Sequence, residues 1–327
     1  MHRRVITFSR NVFLPLTTVC TNVCSYCTFR RPVEEGCVMP PEDVHRTIDE
    51  GVALGCTEAL FTFGERPGEV PGFSDHLAAL GYTDILDYCY DLCGYAIGAG
   101  ILPHTNAGIL TYEELERLRE VNASMGLMLE TTAEVPAHRN SPGKDPAVRI
   151  AMIEDAGRLH IPFTTGILIG IGEGPRDRLE SLEVIADLHR RYGHIQEVIV
   201  QNFCPKEGTE MAGFAPASTA EMAETIRAAR EILPPEVAVQ IPPNLADARR
   251  LIRCGVDDLG GVSPLTIDYV NPEHPWPQID ALKSLVGDAT LRERLCIYPR
   301  FIERGWYPAS LATLIHTLQK QIEERSL

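Results

Sequence analysis

Short apolar runs alternate with longer amphipathic stretches almost from one end of this 327-residue chain to the other. A short continuous apolar run reads as a strand buried on both faces, and an apolar period near 3.6 residues reads as a helix laid over it. Val12–Val19 is the first such strand, and Pro41 to about Leu54 the first helix, with a proline at its start, acids in its first turn and Gly55 closing it. Glu58–Phe63 predicts the second strand, followed by a helical stretch from Asp84 to about Ile97 with Leu86, Tyr90 and Cys93 on one face. Ile101–Thr105, Ser124–Glu130, Phe163–Ile169, Glu197–Asn202 and Val237–Ile241 predict strands three to seven. Their helices are Tyr112–Glu120, Asp145–Leu159, Arg178–Tyr192, Thr219–Leu233 and Leu245–Cys254. Asp258–Val262 leads into an eighth strand region, with Ile279–Val286 as its helix.

Eight β–α units predict an α/β fold of the (β/α)8 TIM type, with the barrel over about residues 12–290 and a C-terminal helical extension over 291–327. No Gly/Ser linker, low-complexity run or internal repeat divides the chain, so a single domain over 1–327 is expected.

Composition narrows the function classes. With 44% hydrophobic residues the chain can bury a large core, and a net charge of −15 argues against a nucleic-acid partner, whose phosphates need clustered Lys and Arg. Met1-His2-Arg3-Arg4 is followed by no long apolar region or cleavage site, so no signal peptide is expected. No run approaches the roughly 18 apolar residues of a membrane span. Ten cysteines without a secretory signal fit a reducing cytoplasm, which is the expected location.

Three of those cysteines stand together in Cys20-Thr-Asn-Val-Cys24-Ser-Tyr-Cys27, directly after the first predicted strand. Thiolates are soft ligands that select iron–sulfur clusters, zinc or Cu(I). A structural zinc site would need a fourth ligand, for which Cys37 is the near candidate; three separately buried core cysteines are the other plain reading. Three thiolates on a four-iron cluster instead leave one iron open to a small molecule. Cys37, Cys56, Cys89, Cys93, Cys204, Cys254 and Cys296 are scattered, most of them in or beside apolar segments, and are expected to be structural.

The C-x-x-x-C-x-x-C spacing, with aromatic Tyr26 before the last cysteine, resembles the signature of the radical S-adenosylmethionine (SAM) enzymes. The resemblance implies one [4Fe-4S] cluster on Cys20, Cys24 and Cys27, whose open iron takes the amino and carboxylate groups of SAM and cleaves it to a 5′-deoxyadenosyl radical. In a barrel, ligands sit at the C-terminal ends of the strands, where this chain places its polar and glycine motifs. Gly64-Glu65 follows strand two, preceded by Phe63 where family members often carry a further glycine. Glu65 is expected to accept from the SAM ammonium, Glu130 from the ribose hydroxyls, and Arg149 to pair with the carboxylate. Gly170, Ile171 and Gly172 are expected to meet the adenine edge; the Gly170–Gly174 string does not fit a dinucleotide-binding turn. His104, Asn106, Gln201 and Asn202 are the candidates for substrate contacts. The plain alternatives are a surface salt bridge for Arg149, a satisfied core histidine for His104 and loop-capping roles for the amides.

Beyond the triplet, Phe61-Thr-Phe-Gly-Glu-Arg-Pro, Leu102-Pro-His-Thr-Asn-Ala-Gly, Ser124-Met-Gly-Leu-Met-Leu-Glu, His138-Arg-Asn-Ser-Pro-Gly-Lys and Ile161-Pro-Phe-Thr-Thr-Gly-Ile-Leu-Ile-Gly-Ile-Gly-Glu resemble the CofG family. Tyr82-Thr-Asp-Ile-Leu-Asp-Tyr and Gly193-His-Ile-Gln-Glu-Val-Ile-Val-Gln-Asn-Phe extend the match, which runs from about Phe13 to Asn271. CofG is the radical SAM subunit of 7,8-didemethyl-8-hydroxy-5-deazariboflavin (FO) synthase in coenzyme F420 biosynthesis. The resemblance implies a radical SAM lyase acting on the adduct that a companion enzyme, CofH, makes from tyrosine and a ribitylaminouracil, closing it to FO with loss of ammonia. It further implies an external electron donor and CofH as a candidate protein partner. The alternatives are a related barrel enzyme (CofH itself, or a menaquinone-pathway, biotin-synthase-like or hydrogenase-maturation type) or, from a different class, a non-catalytic iron–sulfur or zinc protein.

Overall fold

The computed structural model describes residues 4–36 and 38–326. The strands β1 (Val5–Pro15), β2 (Glu58–Thr62), β3 (Leu102–Asn106), β4 (Ser124–Gly126), β5 (Phe163–Ile169), β6 (Ile195–Asn202), β7 (Ala238–Gln240) and β8 (Asp258–Val262) pair in parallel, each with the next. β8 returns to β1, which closes an eight-stranded barrel. The helices are α1 (Pro41–Ala53), α2 (Phe73–Ala78), α3 (Ile85–Ala99), α4 (Tyr112–Leu118), α5 (Pro146–Arg158), α6 (Pro175–Tyr192), α7 (Thr219–Ile232), α8 (Ala248–Ile252) and α9 (Ile279–Leu285). After them come a further strand, β9 (Thr290–Glu293), and the helices α10 (Pro299–Glu303) and α11 (Ala312–Ser326). Among the described residues no helix is long and apolar enough to cross a membrane.

Local chemistry explains the elements. α1, α5 and α6 each begin with a proline, whose missing N–H is one that a first helical turn leaves unpaired anyway. Thr111 and Glu114 cap the start of α4 reciprocally, the Thr111 hydroxyl accepting from Glu114 N and the Glu114 carboxylate from Thr111 N. Every residue of β5 is buried, as a parallel strand covered on both sides requires.

Four features depart from the sequence expectation, the first being α2, a six-residue helix where no element was expected. β1 starts at Val5 rather than Val12, because Ser9 and Asn11 face the lumen and interrupt the apolar run that marks a strand. β4 ends at Gly126, and Glu130 touches β5 only through an isolated bridge to Ile167. The C-terminal extension is not purely helical: β9 pairs in parallel with Val5–Phe8 at the start of β1.

The segment after β9 forms the barrel floor. Leu295, Cys296, Ile297, Phe301, Leu311, Ile315 and Leu318 bury themselves together with Leu102 and Ala123. Ahead of them the buried Arg294 guanidinium donates to Asp258 Oδ2 at 2.6 Å and to Glu197 Oε2 at 2.6 Å. Tyr298 adds a hydroxyl donor, 2.9 Å from each of these carboxylates.

The lumen is polar where such barrels are ordinarily filled by Val, Ile and Leu. Successive strand residues face opposite sides, so His104 and Asn106 line the lumen while Thr105 faces α3 and bonds to Asn122.

Candidate active site

The loop from Leu16 to Met39, between β1 and α1, carries the three clustered cysteines and is fastened to three neighbouring loops by backbone hydrogen bonds. Thr21 N donates to Glu65 O at 2.9 Å, Val23 N to Asn140 O at 3.1 Å, and Met211 N to Ser25 O at 3.2 Å. Gly64 is required by this docking: a Cβ there would lie 1.9 Å from Val19 O and 2.8 Å from Cys20 Cβ.

Cys20, Cys24 and Cys27 line a cavity of about 360 Å³ at the C-terminal ends of the strands. Cys20 Sγ accepts from Glu65 N at 3.2 Å, and Cys24 Sγ from Ser141 Oγ at 3.3 Å. Burial pushes the Cys20 thiol up to about 11. Burial also raises Cys24, against the opposing pull of Lys144 and the Ser141 hydrogen bond. Among the described residues no group of three His, Cys, Asp or Glu side chains is arranged to hold a single metal ion. No fourth cysteine and no histidine lines this cavity among the described residues; Cys37 lies outside them.

Glu65 is locked in place beside the loop. Its carboxylate accepts from Asn22 Nδ2 at 2.8 Å and from Arg149 Nη1 at 3.3 Å, and Gly108 and Gly143 pack directly on it. Asn22 Oδ1 in turn accepts from Gly143 N at 3.0 Å. Arg149, only 3% exposed, also donates to Gly143 O at 2.7 Å and Met128 O at 2.5 Å. Its position is therefore that of a clamp holding Glu65, β4's extension and the 143 loop together, at the cavity wall.

Glu130 adopts φ +68°, a left-handed conformation that a non-glycine residue holds only when its surroundings enforce it. It forms an ion pair with Lys144. Burial works to raise its carboxyl, and Lys144 and Arg149 overcome this and hold it below the usual range. The Tyr26 hydroxyl and His138 Nε2 are 3.0 Å apart, and burial lowers His138 to about 4, so its ring is neutral near pH 7.

The remaining candidates divide. Asn106 and Gln201 line both the cysteine cavity and a second cavity of about 210 Å³ below it. His104 lines only the lower one, with Nδ1 2.6 Å from Ser124 Oγ and burial keeping the imidazole neutral. Asn202, next to Gln201 on β6, points the other way and donates to Leu245 O at 3.0 Å. Gly170, Ile171 and Gly172 form the turn after β5, with positive φ at both glycines. The Gly170 and Ile171 amides donate to Glu173 at 2.8 Å each, and Ile171 packs with Leu168, Phe203 and Met211 beside the cysteine loop. Asn22, Ser141, Lys144 and Glu173 were not among the sequence candidates. All four sit inside segments already singled out in the sequence: the cysteine stretch, His138–Lys144 and Ile161–Glu173.

Residues 14–185 match the model of the radical SAM superfamily. A protein of Methanoculleus marisnigri named 7,8-didemethyl-8-hydroxy-5-deazariboflavin synthase is 73% identical, the alignment covering 98% of this chain and 97% of that one. A protein of the same name from Methanosphaerula palustris is 68% identical over the full length of both. Among solved structures, the FeFe-hydrogenase maturase HydG from Carboxydothermus hydrogenoformans superposes with a TM-score of 0.70 at 20% identity, covering 98% of this chain and 79% of that one. Methylornithine synthase (PylB) gives 0.62 at 18% identity, covering 96% and 86%. At these identities the two structures bear on the fold alone.

Proposed function

The chain belongs to the radical SAM superfamily and, within it, to the 7,8-didemethyl-8-hydroxy-5-deazariboflavin synthases, and from that premise we propose how its barrel mouth makes the deazaflavin. The substrate is the adduct of a tyrosine-derived hydroxybenzyl group with a ribityl-bearing pyrimidine, supplied by a companion radical SAM enzyme. The reaction closes the third ring with release of ammonia, in the route to coenzyme F420. The observation that carries this reading is the adjacency of two cavities: the cysteine cavity and the polar lumen share walls, among them Phe13, Leu60, Asn106 and Gln201.

Cys20, Cys24 and Cys27 would hold one [4Fe-4S] cluster, and their single shared cavity, with no fourth cysteine and no histidine lining it among the described residues, fits a cluster with an open corner. When bound there, the cluster and SAM supply a carbon radical able to abstract hydrogen from an unactivated C–H bond. The chain's own residues then have distinct tasks. The Glu65 amide and the Ser141 hydroxyl hydrogen-bond two of the sulfurs, a contact that tunes cluster potential. The Asn22–Glu65–Arg149 clamp fixes the loop that presents all three thiols. Glu130, kept ionised by Lys144, offers carboxylate oxygens to the ribose diol of SAM. Asn106 and Gln201, at the junction of the two cavities, can pair with the donor and acceptor edge of a pyrimidinedione.

We further propose that residues 1–327 act as one catalytic unit in a reducing cytoplasm and take electrons from an external donor. The described cysteines are all unpaired, and those outside the triplet offer no second compact cluster site. The test is anaerobic reconstitution with iron and sulfide, then incubation with SAM, a low-potential reductant and the adduct. Deazaflavin fluorescence is expected, and is absent with Cys24→Ala. Product formation from free tyrosine and the diaminouracil, with none from the adduct, would assign the chain to the companion reaction instead.

A further inference from the structure

The lower cavity carries polar groups that the reading above leaves without work. Asn11 Oδ1, Gln240 Oε1 and Trp276 Nε1 are buried atoms without a hydrogen-bond partner, and all three residues line this one space. Leaving such groups unpaired costs about 1–3 kcal/mol each, so a site that keeps three of them is built for a ligand that satisfies them. Asn11 is 1% and Gln240 9% exposed. Gly260 and Gly261 of β8 make room for the two amides: a Cβ would lie 2.1 Å from Gln240 Nε2 at Gly260 and 2.2 Å from Asn11 Nδ2 at Gly261. The amide nitrogens are the atoms packed closest to the glycines, and both side chains line the cavity.

The rest of the lining sets the ligand's charge. Glu58, Glu197 and Asp268 contribute carboxylates. Of Glu58, Oε2 accepts from Ser9 Oγ at 2.6 Å. The cation at the floor, Arg294, is consumed by Asp258, Glu197 and its neighbouring Leu295 carbonyl. A phosphate would meet several carboxylates here and no uncommitted guanidinium. A hydroxyl can donate to Asn11, Gln240 or Glu58 and accept from Trp276, without carrying charge.

We infer that the lower cavity is a polyol subsite, in which Asn11, Gln240, Trp276 and Glu58 hold the unphosphorylated ribityl chain while the pyrimidine sits above at Asn106 and Gln201. This rests on the deazaflavin-synthase reading and deepens it. The hydroxyl chain points down the barrel axis, away from the cysteines, and the phenolic end lies toward them. The subsite selects the free polyol over its phosphate ester and over chains without hydroxyls.

The test is fluorescence titration of the whole protein with the product deazaflavin, its analogue with methyl in place of the ribityl chain, and its 5′-phosphate ester. The product is expected to bind at least about tenfold more tightly than either analogue, the size of one neutral hydrogen bond or more. Gln240→Leu and Asn11→Leu are expected to weaken the product by about tenfold each and to leave the methyl analogue unchanged. Equal binding of product and methyl analogue to the native protein overturns the subsite while leaving the synthase reading intact, and needs no variant to fold. Variants that weaken both ligands alike also overturn it. If no deazaflavin binds and none is formed from the adduct, the synthase reading falls and the subsite with it.

Discussion

At the level of single residues, the site depends on side chains whose position is enforced by what is missing beside them. Gly126 is one case: a Cβ there would lie 2.3 Å from Asn106 Oδ1 and 3.1 Å from Thr164 O. Gly126→Ala is expected to displace Asn106, cutting deazaflavin formation by about tenfold, the loss of one hydrogen bond, while iron per chain stays unchanged. Arg149→Met leaves the Glu65 carboxylate buried without its cation, which should cost about 3–5 kcal/mol, seen as a lower urea midpoint, and should reduce cluster loading. In the sequence Gly64, Glu65 and Glu130 stand out at the ends of expected apolar strands, and Arg149 on the face of the fourth expected helix. The sequence did not expose Lys144 or Asn22, whose importance comes from the fold bringing Glu130 and Glu65 against them. The separation of Gln201 from Asn202 follows from strand alternation, and only the register of β6 tells which of the two faces inward.

Among the elements, most helices and the strands β2, β3, β5 and β6 were legible because their periods are strong, while the six-residue α2 and the early end of β4 were not. β5 was readable to the residue, since burial on both faces leaves seven apolar or small positions in a row. The first half of β1 was not, because a strand facing a polar lumen loses the apolar run by which a buried strand is recognised. β9 has four residues, Thr-Leu-Arg-Glu, with no strand signal of their own; pairing with β1 makes them a strand. Its continuation places Arg294 under the barrel, and this fixes a prediction at the same scale. Arg294→Met strands Glu197 and Asp258 at the floor and should lower the unfolding free energy by about 3–5 kcal/mol. The check is chemical denaturation, where a change near zero would show that the floor does not depend on this pair.

For the molecule as a whole, closure of the barrel was predictable from the count of β–α units, and the open polar lumen was not, since inward and outward positions cannot be told apart before the register is known. Buried ionisable groups spread through the fold also set its pH response. Burial, reinforced by His189, holds His194 down to about 3. The native state thus binds fewer protons here than the unfolded chain, so this group's contribution is intact above its ordinary 6.5 and is lost as pH falls towards 3. Glu197 runs the other way: burial raises it to about 7, so its contribution is present below the ordinary 4.5 and is lost as pH rises through 7. His194→Gln is therefore expected to flatten the acid limb of a stability-against-pH curve measured between pH 6.5 and 4, whatever its effect at neutral pH.

A substrate held in the lumen is expected to give up a hydrogen atom to the deoxyadenosyl carbon formed at the cavity that the three cysteines line. The most direct measurement is the mass of the 5′-deoxyadenosine released when the reconstituted protein turns over adduct deuterated at its carbon-bound positions. Deuterium in the deoxyadenosine, formed in step with the deazaflavin and lost with Cys24→Ala, is the predicted result. Unlabelled deoxyadenosine accompanying undiminished deazaflavin formation would contradict it.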